Sequence, residues 1–354
     1  MNTFLRFVEY QTKQILWKIF GFLAGKDVPL VPLPLDFSKI STVLVVRPDR
    51  LGDVVLSTPV YESLKLSFPH IKIIVLVDSR QAGILADNPA IHQILTMDRQ
   101  RPWHTICQLR KRKYDLAITL NKQFSATATF FTLWSKAGMR AGYNHPQNSW
   151  AYNIQLPVEG PPSHEIENNL AILRHMGVPQ ITTQPKIYFT EEENKKVADI
   201  MDSGGRHPER PLILVKTGTR VAKWGWKWGK FQTVIEQMLK NADIWIINGP
   251  GEEIELKPLI AKMQFKPRLL PLISAKELAL LMQQCDLLFC NHTGIMHLAT
   301  AVEKPVCVIF KHGEIQRWGP RHPASRVLEE RGQDSLSPET VMDTLKEILN
   351  NKTL

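Results

Sequence analysis

Several short stretches of this chain place hydroxyls, glycines and charges directly after apolar runs, where they could meet an anionic ligand. The first, RPDRLGDVV at 47–55, follows the apolar run STVLVV at 41–46. Gly52 permits close backbone approach, and Asp53 falls at the start of the next helix, where a carboxylate is electrostatically favoured. A carboxylate so placed serves as a helix cap or as a base beside a ligand, and the residues themselves leave both roles open. The second, KTGTRVAKWGWKWGKF at 216–231, follows PLILV and sets Thr217 and Thr219 beside Lys223, Lys227 and Lys230 among three tryptophans. Amides, hydroxyls and a lysine at a strand end suit phosphate oxygens; solvated lysines over core tryptophans are the plainer alternative. In the third, NHTGIMHLATA at 291–301, Thr293, Gly294 and Ile295 would offer free amides at a helix start, an arrangement that binds anions. His297 lies one turn in, where it would orient the loop or touch a phosphate, or simply be a satisfied structural histidine. NGPGEE at 248–253 is a further loop of the same kind.

Other phosphate and cofactor signatures are absent. Gly249 and Gly251 form a GxG without the third glycine of a dinucleotide fingerprint, and no GxxxxGK[ST] occurs. No Asp-x-Asp is present to hold a divalent ion against a diphosphate. The sequence therefore predicts no metal and no resident cofactor, with phosphate neutralised by lysine and helix ends.

The elements that must position these stretches form a repeated strand–helix pattern. TVLVV, a helix from about Asp53 to Ser67, IKIIVLV (71–77), a helical stretch through Leu85 and YDLAITL (114–120) make up the first half. PLILV (211–215), ADIWIIN (242–248), CDLLFC (285–290) and PVCVIF (305–310) repeat the scheme in the second. Continuous apolar strands alternating with helices predict parallel sheets covered on both faces, so the fold class is α/β with two Rossmann-like halves. In such sheets ligands bind beyond the carboxyl ends of the strands, which is where these loops fall. HEIENNLAILRHMGV (164–178) reads as an amphipathic helix ended by Gly177 with Pro179 beyond it. In SPETVMDTLKEIL, Ser337 suits an N-cap and Pro338 the first helical position. The expected division is 1–40 as an amphipathic helix and Pro-rich linker, 41–180 and 181–330 as the two Rossmann-like domains, and 331–354 as a closing helix.

Bulk composition bounds the partners. The 354 residues are 44% hydrophobic, enough for two ordinary domains, and carry a formal charge of +10. That charge suits nucleic acid, an anionic membrane or a phosphorylated substrate, and does not choose among them. Cys107, Cys285, Cys290 and Cys307 show neither CxxC nor zinc spacing and read as reduced thiols of a cytosolic protein. No run reaches the ~20 apolar residues of a membrane span. In the first thirty residues Phe4, Val8, Ile15, Ile19 and Phe22 share one helical stripe with Lys13 and Lys18 off it. That helix would lie on anionic lipid or pack on the protein's own body.

Taken together, these residues resemble the lipopolysaccharide heptosyltransferases of glycosyltransferase family 9. VLVVRPDRLGDVVLSTPVYESLK (43–65) is similar to the family's opening strand, Gly-Asp turn and helix, HEIENNLAILRHMGV to its interdomain helix, and HTGIMHLATA to its Asp-Thr/Ser-Gly-x-x-His-Leu motif. The resemblance spans roughly 41–348 and implies a GT-B fold, two doubly wound domains facing a central cleft, with inverting, metal-independent transfer of heptose from ADP-heptose to the inner core of lipopolysaccharide. It makes Asp53 the general base. It assigns the donor to Thr219, Lys223, Glu253, Thr293, Gly294, Ile295 and His297. The acceptor, a phosphorylated glycan anchored by its lipid, would meet Arg50, Lys122 and Arg140. The family's location implies a cytoplasmic enzyme held peripherally at the inner membrane's cytoplasmic face.

His292 stands where the family usually has the aspartate of that last motif and is the candidate donor-sugar residue. KWGWKW carries one residue more than the commonest spacing, and Lys311, His312 and Gly313 replace the usual Phe/Tyr-Gly-Pro-Thr turn. These departures leave room for a GT-B transferase using another nucleotide sugar, or for a catalytically silent glycan- or nucleotide-binding scaffold. No nucleic-acid motif is present, so the partners implied are an ADP-sugar and a lipid-linked glycan rather than nucleic acid.

Overall fold

The computed structural model describes residues 29–98, 100–330 and 335–350. The amphipathic stripe of residues 4–23 lies outside the described residues. The chain forms two compact units, Met1–Gln184 and Pro185–Leu354.

In the first unit, β1 (Thr42–Arg47), β2 (Lys72–Asp78), β3 (Gln93–Met97), β4 (Leu116–Thr119), β5 (Met139–Tyr143) and β6 (Ile154–Leu156) form one parallel sheet in the order β3-β2-β1-β4-β5-β6. The register Val43↔Ile73 and Val43↔Leu116 places β1 between β2 and β4. Strand order reverses between β1 and β4, so their carboxyl ends flank the crevice where doubly wound sheets bind ligands. β1 is buried from Val43 to Arg47, as a strand covered on both faces should be.

The helix expected over 53–67 is two helices, Leu51–Val55 and Thr58–Ser67. Pro59 has no N–H to give the carbonyl of Val55. The Thr58 hydroxyl donates to that carbonyl at 2.9 Å, and the Ser57 hydroxyl donates to Val54 at 2.7 Å. The stretch through Leu85 is a 3₁₀ run, Ser79–Leu85. The helix Glu165–Met176 ends at Gly177 in the left-handed region, φ 87°. A Cβ there would also lie 2.5 Å from Pro34 Cβ, so both conformation and space demand glycine.

In the second unit, β7 (Leu212–Lys216), β8 (Asp243–Ile246), β9 (Arg268–Leu269), β10 (Leu287–Asn291), β11 (Val306–Phe310) and β12 (Arg326–Glu329) repeat the topology as β12-β11-β10-β7-β8-β9. The reversal now falls between β7 and β10. The closing helix Pro338–Asn350 is part of this unit's core, burying Val341, Leu345 and Ile348 against Trp226, Phe231 and Phe289.

Among the described residues no helix is long and apolar enough to cross a membrane.

Candidate active site

The first unit's switch point is organised by Arg47, the last residue of β1. Its side chain is 1% exposed and meets three carboxylates. Nη2 donates to Glu165 Oε1 at 2.9 Å and to Asp53 Oδ1 at 3.2 Å, and Nε lies 3.5 Å from Asp49 Oδ2. Burial alone would lower a guanidinium's pKa, but Asp49, Asp53 and Glu165 outweigh it and hold Arg47 above its ordinary value. Glu165 is equally buried and opens the helix Glu165–Met176, where the helix dipole favours its charge.

Asp53, like Asp49 and unlike the buried Arg47 and Glu165, keeps its side chain partly open, 24% exposed. Its carboxyl stands at about 6, the net of burial, which raises it most, Arg47, which lowers it, Asp49 and Glu165, which raise it, and Arg50, which lowers it. It is thus ionised at neutral pH yet takes a proton far more readily than an ordinary aspartate. Asn121, just past β4, donates to Asp49 Oδ2 at 2.9 Å and ties the two loops of the switch point together.

Two of the three cationic residues expected on this unit lie at the same end. Arg50 is exposed and precedes the helix Leu51–Val55. Lys122 follows β4 and donates to Asn168 Oδ1 at 3.1 Å. Arg140 is misplaced by the sequence reading. It pairs with Ala117, near the amino end of the sheet, and its guanidinium donates to the carbonyls of Ala151 (2.7 Å) and Ala137 (2.9 Å).

In the second unit, the loop after β7 carries Thr217, Gly218, Thr219 and Lys223, and the loop after β10 carries His292, Thr293, Gly294 and Ile295. Asn291, fully buried at the end of β10, joins them: its Nδ2 donates to the Thr217 carbonyl at 2.5 Å and its Oδ1 accepts from the Trp226 amide at 2.8 Å. Lys223 is exposed in the 3₁₀ turn Ala222–Trp224 and has no ion-pair partner among the described residues. The Thr219 hydroxyl donates to the Val221 carbonyl at 2.8 Å, leaving its oxygen as an acceptor. Thr293, Gly294 and Ile295 precede the short helix Met296–Ala301, and their amides donate to no protein acceptor among the described residues. His297 is inside that helix, 3% exposed, with its ring 6.0 Å from that of Trp318.

The rest of the lysine–tryptophan stretch divides between surface and core. Lys230 is committed to Glu330 at 2.9 Å, and Trp226 is core. Trp224 stays at the surface, stacked on His312 with ring centroids 4.2 Å apart.

The acidic residue of the NGPGEE loop needs a one-residue correction. Glu253 is exposed and pairs with Lys257 at 2.5 Å, one helical turn along. Glu252 instead pairs with the buried Lys216 at the end of β7 and accepts from the Gly249 amide at 3.0 Å. A Cβ at Gly218 would collide with its carboxylate. The helix begins at Glu253, so its first turn carries that side chain outward while Glu252 still faces the sheet end.

His292 stacks on Phe310 at 4.1 Å and its Nδ1 lies 2.9 Å from the His312 carbonyl. Burial lowers its pKa, which keeps the ring neutral at pH 7. A carbonyl can only accept, so Nδ1 carries the proton and Nε2 is left as a hydrogen-bond acceptor.

The family model for glycosyltransferase family 9 (heptosyltransferase) matches residues 103–346. This chain belongs to glycosyltransferase family 9. It is a glycosyltransferase enzyme, and the similarity to its relatives runs over most of its length. Lipopolysaccharide heptosyltransferase 3 of Escherichia coli is 24% identical over 286 residues, covering 76% of this chain and 83% of that protein. A family 9 glycosyltransferase from Veillonella parvula superposes with a TM-score of 0.80 at 20% identity, covering 90% of this chain and 99% of the other. An E. coli structure described as ADP-heptose LPS heptosyltransferase II gives 0.74 at 18%, covering 88% and 100%. The fold is accordingly GT-B, built from two Rossmann-like units.

Arg47, Asp49, Asn121, Glu165, Lys216, Glu252 and Asn291 were not singled out from sequence. The usable signals were a charged or amide residue ending an apolar strand, as at Arg47, Lys216 and Asn291, and a glutamate opening a helix, as at Glu165.

Proposed function

We propose that this glycosyltransferase moves a heptose from ADP-heptose to a phosphorylated, lipid-anchored glycan of the lipopolysaccharide inner core, with inversion and without a metal. The observation that carries the reading is the Asp53 carboxyl: raised to about 6, partly exposed, and set at the first unit's switch point. ADP-heptose is taken from the description of the E. coli relative, and lipopolysaccharide from the names of both E. coli proteins.

Asp53 takes the proton from the acceptor hydroxyl, whose oxygen bonds to the anomeric carbon from the face opposite the leaving group. The bond from that carbon to the diphosphate oxygen breaks, and ADP leaves with the electron pair. Lys223 and the amides of Thr293, Gly294 and Ile295 supply positive potential for the departing charge. Glu252, held beside Gly218 and Gly249, is the carboxylate available to the nucleoside hydroxyls. Arg50 and Lys122 supply positive charge for acceptor phosphates, and the reaction takes place at the cytoplasmic face of the inner membrane.

His292 supports a second reading, transfer of a different sugar. Where the family usually presents an aspartate, this chain offers a neutral nitrogen acceptor, which still receives a sugar hydroxyl but withdraws a negative charge. Calorimetric titration with ADP, UDP and GDP, first without metal and then with magnesium, separates the readings. Selective ADP binding without metal is expected. A preference for UDP or GDP would move the function to another sugar, and no nucleotide binding at all would leave a silent scaffold.

A further inference from the structure

The pair of helices Pro102–Arg110 and Ala126–Trp134 covers one face of the first unit's sheet and takes no part in the site described above. Its outer surface combines aromatic and cationic groups. Trp103 is 66% exposed, the most open aromatic among the large exposed apolar residues described, and packs edge-on against Trp134 with ring centroids 5.9 Å apart. The Arg110 guanidinium sits 4.4 Å from the centre of the Trp134 ring, and Phe130 lies 5.8 Å from the same ring. Arg101, Lys111, Lys113 and Lys136, which immediately flank the same two helices in sequence, are exposed.

Charge says what such a surface fits. Residues 99–114 carry six Arg or Lys, residues 123–138 carry one Lys, and neither stretch contains a single Asp or Glu. Exposed tryptophan beside unpaired arginine and lysine is the composition that settles at the boundary between lipid headgroups and acyl chains. The chain's own first 28 residues are a poor cover for it, because they carry four Arg or Lys against two Asp or Glu and would be repelled. Nucleic acid is also anionic, but single-stranded binders stack successive bases along an extended row of aromatics, whereas the rings here cluster at Trp103, Phe130 and Trp134.

We infer that this aromatic–basic face docks the protein on an anionic phospholipid membrane. Trp103 enters the headgroup region, and Arg101, Lys111, Lys113 and Lys136 lie against lipid phosphates. Docking here is separate from sugar transfer and needs neither nucleotide nor acceptor.

Cys107 makes the face directly observable. It is exposed on the helix Pro102–Arg110, whereas Cys285, Cys290 and Cys307 are buried. The full chain, labelled at Cys107 with a polarity-sensitive thiol dye, is titrated with phosphatidylglycerol/phosphatidylethanolamine vesicles, with phosphatidylcholine vesicles, and with a single-stranded oligonucleotide. The expected result is sedimentation with anionic vesicles, weakened by salt, accompanied by a blue shift of the dye. Trp103→Ala, and separately the pair Lys111→Glu and Lys113→Glu, should each weaken vesicle binding about tenfold or more, since each basic residue near a charged bilayer contributes substantially. These exposed positions leave the fold unchanged, which circular dichroism checks. Vesicle binding with a silent dye and unaffected variants would overturn the inference and place docking elsewhere. Equal binding to neutral vesicles, or a dye response to oligonucleotide at lower concentration than to lipid, would overturn it as well.

Discussion

As the proposed base, Asp53 meets two demands that pull in opposite directions. A base must be ionised at working pH yet accept a proton, and burial beside Asp49 and Glu165 raises its pKa to about 6 while Arg47 keeps it from rising further. Turnover should therefore climb with pH through about 6 and level off above 7, with the slope of one proton. Asp53→Ala should reduce transfer by roughly 10²- to 10⁴-fold, the usual contribution of a general base. The same shift has a stability consequence of opposite sense. Because the native pKa lies above an ordinary aspartate's 3.8, the native state holds this proton more tightly than the unfolded chain does. The associated stability is complete below about pH 4 and is lost as pH rises through 6. Asp53→Asn should thus raise the thermal midpoint at pH 8 by the equivalent of at most about 3 kcal/mol, with the gap closing toward pH 4. Glu165→Gln tests the network behind the base. Removing that charge takes away a group that raises Asp53 and frees Arg47 to pair with it more fully, so the acid limb of the pH–rate curve should move to lower pH. An unmoved limb would show that Glu165 serves the fold alone.

At the scale of elements, the sites depend on loops held by strand ends. Asn291 is the clearest instance: one buried amide fixes both ends of the segment from Thr217 to Trp226. Asn291→Ala leaves a carbonyl and an amide without their partner, at a cost of roughly 1–3 kcal/mol. A lower thermal midpoint and faster tryptic cleavage at Lys223 and Lys227 are expected; unchanged cleavage would mean the loop is held by other contacts. The strands legible in the sequence, TVLVV, IKIIVLV, YDLAITL, PLILV, ADIWIIN, CDLLFC and PVCVIF, are those made mostly of buried apolar residues. β3, β5, β6, β9 and β12 escaped notice because they are short or interrupted, with Gly142 and Arg140 in β5 and only two residues in β9. Asp53, Lys223 and the 293–295 amides were visible as loop residues after apolar runs. Arg47, Glu165 and Asn291 were not, because their importance lies in partners up to 118 positions away, which no local pattern reveals. That Glu252 rather than Glu253 faces the end of β7 was not legible, since where a helix turns its first side chain outward depends on a boundary that sequence places only to within a residue or two.

At the scale of the whole molecule, the same doubly wound topology occurs twice, and each copy puts its chemistry at its own reversal of strand order. The proposed base belongs to the unit ending at Gln184 and the proposed nucleotide loops to the unit beginning at Pro185, so proton transfer and donor binding should be separable by mutation. Asp53→Ala should leave ADP affinity within about twofold of the parent, because Asp53 is proposed to act on the acceptor hydroxyl and its described hydrogen bonds and ion pairs are all within the first unit. Glu252→Ala should weaken ADP about tenfold. The loss of a charge-assisted contact is worth about 1.5–3 kcal/mol, and part of that is regained as Lys216 is released toward phosphate. In the double variant the two effects on transfer at limiting donor should multiply. Calorimetry for ADP and initial rates for transfer measure both quantities on the same preparations. Should Asp53→Ala weaken ADP as much as Glu252→Ala does, the nucleotide would not be confined to the second unit, and the division of labour between the two sheets would have to be redrawn.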